Sequence, residues 1–174
     1  MVRMKLRPTV LCLTLTSFVS PALFAQEPVV GVSDPESLFH NKDKKLDANM
    51  QVVMHIMRDL LEANHWQDAP KYLTAAYHQH NPNVASGLEP VMKFFGARTP
   101  SPIPDKNSWK TKVVAVTAAG DYVTVAIARE YPDPRNPGKT YTSTWFDMWR
   151  IMDGKADEHW DGATIAAPNP NNKK

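Results

Sequence analysis

The chain has 174 residues, 43% of them hydrophobic, with 20 Lys and Arg against 18 Asp and Glu and a single cysteine. That is enough chain for one ordinary core and too little for a two-domain cofactor enzyme. Its balanced charge offers no basic surface for nucleic acid, and no stretch approaches the ~20 apolar residues of a membrane-spanning helix.

In chain order, Arg3, Lys5 and Arg7 precede an apolar stretch over residues 10–19 and a small-residue end, Ala22-Leu23-Phe24-Ala25. This pattern predicts a secretory signal over residues 1–25, cleaved before Gln26, and therefore a periplasmic or secreted protein. The lone Cys12 lies inside the signal, so the exported part is expected to lack disulfides, thiolate nucleophiles and cysteine metal ligands. Three of the basic residues and none of the acidic ones leave with the signal, which brings the formal charge to −1.

Residues 26–45 are polar and broken by Pro28 and Pro35, which predicts a flexible N-terminal segment. Leu46, Met50, Val53, Met57, Leu60 and Leu61 then recur at the spacing of a helix with one buried side. Asp68-Ala69-Pro70 predicts a short second helix to about residue 75, followed by an extended stretch over residues 77–81 that stops at Pro82. Ser86 and Glu89 have capping-box spacing, so a third helix is expected to run to about residue 97.

After Ser108 the period changes. Residues 109–118, 122–130, 141–152 and 155–165 are rich in Val, Thr, Trp and Tyr and are separated by turn residues, which predicts four consecutive strands. Helices followed by strands indicate an α+β domain over residues 46–165, with a loose tail at 166–174. Asp153-Gly154 suits a two-residue type I′ hairpin, which fixes strand register. In an unbroken ladder Trp149 would oppose Glu158 and Asp147 would oppose Trp160, with Arg150 against Asp157 and Met148 against His159 on the other face. The mostly apolar face, which holds Trp145, Asp147, Trp149 and Trp160, is expected to point inward.

Asp147 is the strongest catalytic candidate. A carboxyl walled by tryptophans loses hydration and is expected to hold a proton more tightly than a solvated one, so it can exchange it near neutral pH. If residues 77–81 are a strand, Tyr77, Gln79 and Asn81 point one way and His78 and His80 the other. The two histidines with His159 or Asp161 make only a weak metal motif, so no metal and no cofactor is expected.

The string Phe146-Asp147-Met148-Trp149-Arg150 through Glu158-His159-Trp160-Asp161, with Tyr77, Gln79-His80-Asn81-Pro82 and Gly87 before Phe94-Phe95, resembles SnoaL-like polyketide cyclases of the nuclear transport factor 2-like superfamily. The resemblance implies a cone, a curved sheet wrapped on a long helix around an apolar pocket. It further implies an acid/base role for Asp147 in aldol- or enolisation-type chemistry, with His80 and Asn81 placing a substrate oxygen. Tyr77, Trp145, Trp149 and Trp160 would then line the binding site. Related ketosteroid isomerases carry a basic aspartate where this chain has Asn81, an amide that cannot abstract a proton, so steroid isomerisation is not expected.

The expected ligand is a small, partly apolar carbonyl compound. The alternative is a non-catalytic ligand carrier or protein-interaction module of the same fold. A homodimer through the outer sheet face, bearing Phe146 and Met148, is a fold-level expectation.

Overall fold

The computed structural model describes residues 26–165; the expected signal and the expected tail lie outside them. Helix α1 spans Lys44–His55. Asp43 caps it by accepting hydrogen bonds from the backbone N–H groups of Lys45 and Leu46 at 2.9 and 3.0 Å, which removes two of the donors a helix start leaves unpaired. The helix continues as a wider π turn over Ile56–Glu62 and ends where Asn64 adopts φ 64°. Met50, Val53, Met57 and Leu60 form its buried side, as the spacing predicts.

The second helix is shorter than expected, a 3-10 turn over Trp66–Lys71, and strand β1 begins at once and spans Leu73–Gln79. Helix α2 covers Leu88–Phe95. Its cap is Gly87 at φ 104°, not a capping box, because Ser86 turns back to accept from Gln79 N–H at 3.0 Å. That backbone conformation strains any residue with a Cβ.

Strands β2 (Val113–Ala119), β3 (Tyr122–Pro132), β4 (Thr140–Met152) and β5 (Lys155–Asp161) form an antiparallel meander. β1 joins it parallel to β5, so the sheet order is β1-β5-β4-β3-β2. This is the α+β order that the sequence pattern predicts and the curved cone that the resemblance implies, with the helices against the inner face. Among the described residues no helix is long and apolar enough to cross a membrane.

Within the N-terminal segment, residues 26–45, Pro35–Phe39 form a 3-10 turn whose Phe39 is fully buried, its ring 6.1 Å from that of Trp109, while most of the segment's other residues are exposed. The expected hairpin ladder is broken. Asp153 and Gly154 take the positive φ of a type I′ turn, and Ile151 opposes Ala156 as expected, but Asp157 is an extra residue and Arg150 opposes Glu158. Beyond this bulge every partner moves by one. Trp149 opposes His159 and Asp147 opposes Asp161, so His159 and Asp161 turn inward and Trp160 turns out.

Candidate functional site

The cone encloses a cavity of about 490 Å³. Ile56 and Met57 of the long helix, Val91 and Phe95 of α2, and Trp66 supply its apolar side. Its polar side comes from β1, β4 and β5, where Tyr77, Gln79, Asn81, Asp147, His159 and Asp161 meet.

Protonation at this floor follows from counting donors. The side-chain oxygen of Gln79 accepts the backbone N–H of Asn81 at 3.0 Å, so it is an oxygen and His159 Nδ1, 2.8 Å away, must donate to it. His159 Nε2 therefore faces Asp147 Oδ1, at 3.2 Å, with no hydrogen of its own in the neutral ring. Oδ1 already accepts the indole N–H of Trp145 at 3.1 Å. Two acceptors in contact repel unless something positive lies between them, so the pair holds one proton or a cation there. Asp147 Oδ2 has no protein donor among the described residues and keeps its lone pairs for whatever enters.

The neighbouring groups are held from behind. Asp161 accepts from Ala163 N–H and from the Asn81 side-chain amide, each at 2.8 Å. Asn81 is itself oriented, because its oxygen accepts the backbone N–H of Asn83 at 3.0 Å. The Tyr77 hydroxyl accepts the Trp149 indole N–H at 3.1 Å, which leaves its own hydrogen to donate. Burial pushes the Tyr77 phenol far above its ordinary value despite that opposing hydrogen bond, so it stays a neutral donor. Ligand atoms of Asp147, His159 and Asp161 lie within 4.8 Å of one another, a set able to hold a metal ion.

The sequence profile of the SnoaL-like domain matches residues 55–159. The chain belongs to the SnoaL-like family. A comparison with curated protein sequences finds no match. Among solved structures the chain is similar to TsrD from Streptomyces laurentii, at 18% identity over 70% of this chain and 90% of that one, with a TM-score of 0.46. It is also similar to an NTF2-like protein of unknown function from Burkholderia pseudomallei, at 19% identity over 67% and 91% of the two chains and a TM-score of 0.42. An LEH-like epoxide hydrolase from M. tuberculosis matches at 12% identity over 66% and 80%, with a TM-score of 0.46.

In this SnoaL-like domain the expected residues Asp147, Tyr77, Asn81, Trp145 and Trp149 line one cavity. His80 and Trp160 do not. Their rings stack 5.1 Å apart, and His80 bonds Glu158 at 2.8 Å, on the outer side set by the bulge. His78 is exposed as well, so the set His78, His80 and His159 does not converge. Sequence reasoning missed His159 as the partner of Asp147 and Gln79 as the acceptor behind His159. Gln79 was legible from its alternation with Tyr77; the bulge hid His159.

Proposed function

We propose that this is an exported SnoaL-like protein, periplasmic or secreted, that binds a small, partly apolar carbonyl compound in the cone and moves a proton beside its carbonyl. The observation that carries the reading is the Asp147–His159 contact at 3.2 Å on the floor of an apolar cavity. Asp147 Oδ2 takes the proton from the carbon next to the carbonyl, and the C–H electron pair shifts onto the carbonyl oxygen as an enolate. The Tyr77 O–H donates to that oxygen, and the shared proton on His159 balances the charge. The enolate then regains a proton or attacks a second carbonyl within the same ligand.

The test is deuterium exchange at carbon, followed by NMR over a panel of ketones and aldehydes. The expected result is exchange by the wild type that Asp147→Asn abolishes while the fold stays intact. Exchange unchanged in the variant sinks the mechanism, and binding without exchange turns the reading to a ligand carrier.

A second reading rests on the Asp147, His159 and Asp161 cluster, with a divalent cation in place of the shared proton. Gln79 and Asn81 hold His159 and Asp161 as outer supports hold metal ligands. Elemental analysis of purified protein decides it: a stoichiometric ion supports the cation, and trace amounts remove it. The proposed homodimer would use the outer face, where Phe146 is 56% and Tyr122 41% exposed. Light scattering that returns a monomer at micromolar concentration would remove it.

A further inference from the structure

The inner row of β3 reads Val123, Val125, Ile127 and then Arg129. The first three are buried and apolar; the fourth puts a cation at the end of the row. Its guanidinium carbon lies 3.7 Å from the centroid of the Trp145 ring. Arg58, Arg135 and Arg150 each bind a carboxylate, whereas Arg129 has no acidic partner among the described residues.

The cavity holds further cations beside it. Lys110 and Lys112 line the same cavity, and neither has an ion-pair partner among the described residues. Glu62 spends its two oxygens on the backbone N–H groups of Lys110 and Thr111, at 2.7 and 3.0 Å, and on the Thr111 hydroxyl. It fixes the lip of the cavity. The acids that line the cavity, Asp147 and Asp161, are bonded to His159 and Asn81.

Trp145 joins the two ends: its face lies under Arg129 and its N–H bonds Asp147. A guanidinium is a planar fork that matches a carboxylate, and one not already bound to an acid near an apolar pocket attracts anions into it.

We propose, building on the carbonyl reading above, that the ligand is an oxo acid. Its carboxylate sits on Arg129 at the mouth, its apolar body runs along the cavity, and its carbonyl reaches Asp147 and Tyr77. Arg129 is then the residue that selects anionic over neutral carbonyl compounds.

The test is tryptophan fluorescence of the purified protein titrated with 4-oxo-4-phenylbutanoate, its methyl ester and butyrophenone. The acid is expected to bind about tenfold tighter than the ester at low salt, the size of one charge-assisted contact. Arg129→Gln removes that preference while the ester still binds and the protein stays folded, whereas Arg129→Lys keeps part of it. Equal binding of acid and ester by the wild type, or a preference that survives Arg129→Gln, overturns the anion site and leaves the carbonyl pocket standing. Failure of all three probes to bind at millimolar concentration overturns both.

Discussion

Two buried aspartates in this domain have opposite surroundings. Asp59, 5% exposed, spends both oxygens: Oδ1 accepts Arg58 Nε at 2.7 Å, and Oδ2 accepts His55 Nδ1 at 2.9 Å and the Tyr72 hydroxyl at 3.1 Å. Asp147, 7% exposed, receives both of its protein contacts on one oxygen, from Trp145 and His159, and turns the other toward a cavity. Burial alone does not separate them. Asp59 is saturated by an arginine and ties the long helix to Tyr72, just ahead of β1, whereas Asp147 has spare lone pairs and no arginine to fix its charge. Burial pushes the Asp59 carboxyl up, but the hydrogen bonds from Arg58 and His55 outweigh it and hold the group below its ordinary value.

Exchanging the two carboxyls for amides tests the contrast most directly. Asp147→Asn should cost about 10²- to 10⁴-fold in carbonyl proton exchange, the range for a lost acid/base group, with its melting temperature close to wild type. Asp59→Asn should do the reverse. It leaves Arg58 with one carboxylate partner fewer in a half-buried site and should destabilise by about 3 kcal/mol in urea titration, while ligand affinity in the surviving folded fraction is unchanged. Equal effects of the two variants on stability would erase the distinction.

A smaller effect is expected from Gln79→Met, which removes the acceptor that holds His159 in one tautomer. Exchange should fall about 10-fold, as for other supports of a working side chain, and the histidine ¹⁵N spectrum should show His159 Nδ1 losing its fixed proton. An unchanged spectrum would mean Gln79 does not set the tautomer.

The smallest effect is acid sensitivity at the far loop. Hydrogen bonds from the Asn136 and Arg135 side chains and the Arg135 backbone pull Asp133 from 3.8 down to about 2. Because the folded value is the lower one, this stabilisation is present above 3.8 and disappears as pH falls through about 2. Asp133→Asn should therefore melt below wild type at neutral pH and converge with it at the acid end. A constant gap across the range would contradict the assignment.

Much of this site was legible in the chain because strands alternate. Tyr77, Gln79 and Asn81 share one side as their parity requires, and Asp147 falls on the inner face with Trp145 and Trp149. The four strands and the long helix follow from residue type and period alone. What parity cannot show is where a ladder gains a residue. Arg150 binds Asp157 at 2.6 Å and Glu158 at 2.9 Å, and this double grip at the bulge exchanges Trp160 for His159. The burial of Phe39 was hidden for a related reason, since Leu38-Phe39 is a short apolar pair without periodicity and only tertiary packing against Trp109 shows that Phe39 is core. Arg129 obeys the same alternation, two residues past Ile127 on β3.

The parallel pairing of β1 with β5 has a kinetic consequence. Gln79 and His159 are 80 positions apart, and they meet only when the final strand docks beside the first. Such a contact closes late, because the entropy of a long loop must be met before the strand's own hydrogen bonds form. A chain still emerging during synthesis can build the helices and the β2–β4 meander, but Gln79 and His159 meet only once β5 is complete. Appearance of the proposed exchange activity in a refolding experiment is therefore expected to lag the signals from helix and hairpin.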